Sequence, residues 1–138
     1  MENKITIQAE VNASVDKVWK IWSEPSHITQ WNSASEDWHT PKAENDLQIG
    51  GNFSFTMAAK DGSFSFDFGG TYIDVVKHQK IVYKLGDERE VEVIFTELEN
   101  GNTLIVEKFD PENQNPREMQ EQGWQAILNN FKKYTESL

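Results

Sequence analysis

The chain has 138 residues, 23 acidic against 13 basic, for a formal charge of −10, and it contains no cysteine. That length suits one domain over residues 1–138, able to bury about two-thirds of its unfolded surface. Disulfides and thiolate sites are excluded, and the acidity argues against nucleic acid, whose binding depends on neutralising phosphates.

Ile5, Ile7, Ala9 and Val11 alternate with polar neighbours, which predicts a half-buried strand over residues 3–11. Ser14 is placed to cap a helix with an apolar stripe of Val15, Val18, Trp19 and Trp22. Pro25 ends that helix and opens a second short one, which carries Ile28 and Trp31. Residues 32–51 are irregular, holding Trp38, Pro41 and Gly50-Gly51, and predict a mobile loop with one short strand near Asp37–Thr40.

An antiparallel meander follows. Phe53, Phe55 and Met57 alternate up to an Asp61-Gly62 turn, and Phe64, Phe66 and Phe68 mirror them on the return, with a bulge or bend expected at Gly69-Gly70 before Tyr72 to Val76. Further strands centre on Ile81, Tyr83 and Leu85, then on Val91, Val93 and Phe95; the Asn100-Gly101 hairpin signal introduces the last, about Thr103 to Phe109. Asn115-Pro116-Arg117-Glu118 reads as cap, first-turn proline and capping-box glutamate of a helix over 116–136. Trp124, Ile127, Leu128, Phe131 and Tyr134 share one face of it, and Gly123 either opens room beside Trp124 or is an exposed, tolerated glycine. The order of elements is α+β: a curved antiparallel β-sheet, two short helices after strand 1, and one long C-terminal helix to cover the sheet.

Val18-Trp19-Lys20-Ile21-Trp22, Ile28-Thr29-Gln30-Trp31, Gly69-Gly70-Thr71-Tyr72, Phe109-Asp110-Pro111-Glu112 and the run from Gly123-Trp124 to Asn130-Phe131 resemble the SRPBCC, or START-like, superfamily. Within it they are most similar to the branch homologous to the C-terminal domain of the Aha-type activator of heat-shock-protein ATPase. The resemblance implies a helix-grip fold, the sheet wrapped around the long helix with a deep cavity between them. Relatives use that cavity to bind lipids, sterols, flavonoids or polyketides, or as the active site of cyclases and aromatases.

Strand parity and the helical stripe then supply candidate ligand-binding residues: Trp31, Trp38, Phe53, Phe55, Phe66, Phe68, Tyr72, Tyr83, Val93, Phe95, Glu107, Trp124, Ile127, Leu128 and Phe131. The same aromatic residues equally suit a filled core. Glu107 lies amid Leu104, Ile105, Val106 and Phe109, and either points outward or points inward with its pKa raised by burial. Arg89 and Asp67 are further polar candidates. Three function classes follow: binding of a small hydrophobic molecule; an interaction module for a chaperone or other protein, with Trp38 as anchor; and a cyclase-like or hydrolytic enzyme. The last has only His27 or His39 as a mouth-side base, with no nucleophile elbow, triad ordering or phosphate loop, so no catalytic residue is assigned. His27, His39 and His78 form no ligand pair at helical or strand spacing, so neither metal nor cofactor is expected. No apolar run approaches the ~18 residues of a membrane helix, and the first residues lack the pattern of a signal peptide. A cytoplasmic chain without membrane insertion, monomeric or weakly dimeric, is expected.

Overall fold

The structure, a computed structural model, describes residues 4–138. Asn3, the first residue of the predicted opening strand, lies outside the described residues, as do Met1 and Glu2. The chain runs β1 (Ile5–Val11), α1 (Val15–Ser23), α2 (Pro25–Trp31), β2 (Trp38–Asn45), β3 (Asn52–Ala59), β4 (Ser65–Val76), β5 (Lys80–Leu85), β6 (Glu90–Glu97), β7 (Thr103–Phe109) and α3 (Arg117–Glu136).

The seven strands form one antiparallel sheet in the order β1-β7-β6-β5-β4-β3-β2. Consecutive strands from β2 to β7 are neighbours, and β1 closes the far side by pairing with β7, so the chain's first and last strands lie together. The sheet curls around α3, which packs against β1 and α2, in the helix-grip arrangement the family resemblance implies.

Local sequence explains most of the elements. Ser14 Oγ accepts the Lys17 backbone N–H at 3.3 Å and caps α1. Pro25 occupies the first turn of α2, where its missing N–H costs nothing. Gly62 and Gly101 take φ of +80° and +87°, the left-handed turn conformation open to glycine, and so permit the β3–β4 and β6–β7 hairpins.

Three local expectations are corrected. The short strand expected near Asp37–Thr40 is a full edge strand over residues 38–45: β2 pairs with β3 from Trp38↔Ala59 to Asn45↔Phe53, with a register shift between His39 and Lys42 that accommodates Pro41. In β4 the irregularity falls between Tyr72 and Asp74, not at the glycines, whose pairing with β3 is regular. Gly69 and Gly70 serve close approach instead, since a Cβ there would lie 2.7 Å from Phe53 O and 2.5 Å from Lys84 O respectively. Finally, Asn115 does not cap α3 and Glu118 makes no capping box; Pro116 holds the N-cap position without a side-chain bond. Asn115 donates its backbone N–H to Glu112 Oε1 at 2.8 Å and its side-chain amide to Oε2 at 3.2 Å, which removes it from the helix end.

The core divides into two regions. At one end Trp19, Trp22 and Trp31 of α1 and α2 pack against Phe95 and Phe131, with ring centroids 4.9–5.9 Å apart across these residues and His78. That end is filled. At the other, β3, β4 and β5 stand away from α3 and leave a space.

Candidate functional site

A cavity of about 410 Å³ lies between the inner face of the sheet and α3. Its wall on the strand side is Phe53 and Phe55 of β3, Phe66, Phe68 and Tyr72 of β4, and Ile81 and Tyr83 of β5. Trp124, Ile127 and Leu128 of α3 face them, Trp31 closes the end toward the filled core, and Glu107 of β7 lies within. Eleven of the candidate residues thus come together at one space: Trp31, Phe53, Phe55, Phe66, Phe68, Tyr72, Tyr83, Glu107, Trp124, Ile127 and Leu128.

Four do not reach it. Val93 and Phe95 face inward as their parity requires and Phe131 lies on the apolar face of α3, but all three are buried as packed core, with Trp19 and Trp22 against Phe95 and Trp22 and Trp31 against Phe131. Trp38 stands on the edge strand against Phe64 and Phe66, at 6.2 Å from each ring, outside the cavity wall. Asp67 points away as well, accepting the Thr56 hydroxyl at 2.8 Å on the outer face. His27 and His39 lie off the cavity: His27 Nδ1 meets Tyr134 Oη at 2.7 Å, and His39 is exposed on β2.

The aromatic wall is held by its own contacts. Phe53 lies 4.8 Å from Tyr83, 5.0 Å from Phe55 and 5.2 Å from Tyr72 between ring centroids. Trp124 stacks on Phe109 at 4.0 Å and 10°, which lays its indole flat along the sheet instead of across the space, and it meets Phe68 edge-on at 6.1 Å. The Tyr72 hydroxyl donates to Asn45 Oδ1, tying β4 to the edge strand.

Glu107 is the exceptional group. Its neighbours across the sheet are Ile7 and Val93, both apolar and buried, and its own exposure is 6%. Its carboxyl has no hydrogen-bond or ion-pair partner among the described residues. Burial alone pushes its pKa up to about 8, so it is mostly protonated at neutral pH. Tyr83 feels that carboxyl: burial first, then the Glu107 charge, raises its phenol well above the ordinary value. Burial likewise raises Tyr72.

Several wall residues were not among the sequence candidates. Trp22 was visible as part of the α1 stripe, and Ile81 shares parity with Tyr83, so both had a local signal. Met57 shares parity with Phe53 and Phe55, whereas Asn32 had no such signal and reaches the wall through tertiary contact, its amide 3.2 Å from Met57 Sδ. Glu112, Asn115 and Gln120 close the end near the start of α3: Gln120 Nε2 donates to the carbonyls of Glu112 and Asn115, each at 2.9 Å, and Gln120 Oε1 accepts the Glu112 N–H at 2.9 Å. Arg89, weighed as a polar candidate, is also on the wall, its Nε donating to both Asp87 carboxylate oxygens at 2.9 and 2.7 Å.

Among the described residues no three His, Cys, Asp or Glu side chains converge as a metal site, and no helix is long and apolar enough to cross a membrane. No curated protein matches the sequence. Solved structures do. The AHSA1-like protein from Aeromonas hydrophila is 44% identical with a TM-score of 0.90, over 97% of this chain and 92% of that one. Chr148 from Cytophaga hutchinsonii is 57% identical with a TM-score of 0.84, over 98% of this chain and 93% of the other. NE0264 from Nitrosomonas europaea, at 17% identity, shares the fold with a TM-score of 0.82 over 99% and 96% of the two chains. The family profile described as "Activator of Hsp90 ATPase homolog 1-like protein" matches residues 12–136, and the chain belongs to that family.

Proposed function

We propose that this chain binds a small hydrophobic molecule in the cavity between α3 and the sheet. The observation that carries the reading is an aromatic space of about 410 Å³ with one buried, unpartnered carboxyl inside it. That volume lies in the ~300–1,000 Å³ range of small-molecule sites, where apolar walls supply affinity and a few polar groups fix orientation. Burial of ligand surface contributes roughly 25 cal/mol per Å², and a wall already ordered by ring contacts loses little entropy on binding.

Lipids, sterols, flavonoids and polyketide-like molecules are the classes the superfamily resemblance brings forward. Chemical-shift mapping against a panel of fatty acids, sterols and flavonoids tests the reading. Shifts clustered on Phe53, Phe68, Tyr83, Glu107 and Trp124 are expected; a panel that moves none of them refutes it.

A second reading, docking of a chaperone or other protein, is favoured by one observation. Trp38, Phe64 and Phe66 form an aromatic cluster on the edge of the sheet, with Phe64 59% exposed. A stoichiometric partner retained by wild type and lost by Trp38→Ala would support it; equal retention by both would refute Trp38 as anchor.

A further inference from the structure

We propose that the ligand of this cavity is a hydrophobic amine whose protonated nitrogen pairs with the Glu107 carboxylate. The inference rests on the reading of the cavity as a ligand site and adds a charge to the ligand's chemistry.

The charged and titratable groups around Glu107 can be taken element by element. Beside it, β1 and β6 present only Ile7 and Val93. Farther across the same sheet β4 and β5 offer the phenols Tyr72 and Tyr83, and on the opposite wall α3 offers Gln120, Trp124, Ile127 and Leu128, none of which titrates near neutrality. Toward the filled core the wall is Trp22, Trp31 and Asn32. The remaining charges are Arg89, from the β5–β6 turn, and Glu112, from the segment before α3.

Arg89 is the one cation on the wall, and both Asp87 oxygens already hold its Nε. Glu112 accepts hydrogen bonds from Asn115 and has no cationic partner among the described residues. Once Glu107 ionises, the lining carries a negative balance, two carboxylates against one guanidinium that is itself paired. It does so within a chain of formal charge −10, whose field draws cations in.

Both chemical parts of an amine site are present. A buried carboxylate with free lone pairs is the natural counter-ion for an ammonium group, and cations are further stabilised over aromatic faces, of which this wall has many. The empty site holds its acid neutral because no cation is there, and an arriving ammonium would take the proton's place. The rival chemistry is a neutral oxygen that accepts a hydrogen bond from the protonated acid. The two differ in sign with pH: an amine binds the ionised form and a neutral oxygen the protonated form.

The test uses the whole chain with 4-phenylbutylamine and its isostere 4-phenylbutan-1-ol, titrated calorimetrically from pH 6.5 to 9. With the Glu107 carboxyl at about 8 and the amine near 10, amine affinity should rise roughly thirtyfold across that range, while alcohol affinity stays level or falls. Near pH 7 each bound amine should release close to one proton, read from the dependence of heat on buffer ionisation enthalpy. Glu107→Gln, an isostere of the neutral acid, should abolish both the pH dependence and the preference for amine over alcohol. Alcohol bound as well as amine, or amine affinity flat with pH in wild type, overturns the proposal and leaves the cavity as a neutral ligand site. Binding of neither compound overturns the amine proposal and counts against the ligand site itself.

Discussion

Replacing Glu107 by Gln should make the protein more resistant to alkaline conditions, by an amount that grows with pH. In the folded chain the carboxyl keeps its proton up to about 8, whereas an ordinary glutamate releases it near 4.5. Between those values the folded state binds more protons than the unfolded state, so stability falls as pH rises through the window. Below about 4.5 the side chain is neutral in both states and the burial cost is absent. Each pH unit inside the window removes about 1.4 kcal/mol, so the full span is worth up to about 5 kcal/mol, a large part of the ~5–15 kcal/mol available to a domain. Glutamine keeps the shape of the neutral acid and never ionises. Urea unfolding of wild type and Glu107→Gln at pH 5, 6, 7, 8 and 9 isolates the effect, because every other titrating group cancels in the difference. That difference should climb by about 1.4 kcal/mol per unit, reach roughly 4 kcal/mol at pH 8 and level off near pH 9. A difference independent of pH would show that Glu107 titrates as an exposed glutamate, which would refute both its burial and its part in the site.

Phe131, fully buried between Trp22 and Trp31, belongs to the filled core, so Phe131→Ala should cost about 3–5 kcal/mol in urea unfolding; a loss under about 1 kcal/mol would mean this end is hollow too. Gly123 sits in α3 with no atom within 4 Å of an added Cβ, so Gly123→Ala should raise stability by about 1 kcal/mol through helix propensity. A drop in melting temperature would show instead that the glycine supplies needed space. Gly70→Ala should destabilise by at least about 1–3 kcal/mol, since its Cβ would lie 2.5 Å from Lys84 O and 3.2 Å from Phe53 Cε1; unchanged thermal unfolding would refute the close approach of β4 to β5.

Local pattern carried the fold because its elements follow from periodicity and turn residues close in sequence. The period of two in Ile5, Ile7, Ala9 and Val11 matches the observed alternation of β1, and Gly62 and Gly101 sit at the hairpins their dipeptides announced. Only the first part of the edge strand β2 was legible, near Asp37–Thr40, because the strand is bonded on one side only and is interrupted at Pro41, so burial left little alternation to read beyond it. At the start of α3 a well-formed local motif lost to Gln120 and Glu112, whose bonds across the turn organise the backbone that Asn115 was expected to cap.

The site was harder to read because parity states which face a side chain takes, not whether that face is covered. Phe53 and Phe95 have the same parity and chemistry, yet one walls a cavity and the other is packed core. The difference lies in α1 and α2, which bring Trp19 and Trp22 over Phe95 and leave β3 to β5 uncovered. Glu107 makes the distinction sharper. The inward face of β7 carries two polar side chains: Thr103, at the end of the strand, bonds the Ala13 carbonyl at 2.9 Å, while Glu107 bonds nothing among the described residues. Between Ile7 and Val93 an apolar residue would avoid the free-energy cost of burying a carboxyl without a partner. The wall is hollow at position 107, so its carboxyl faces the cavity and not packed side chains.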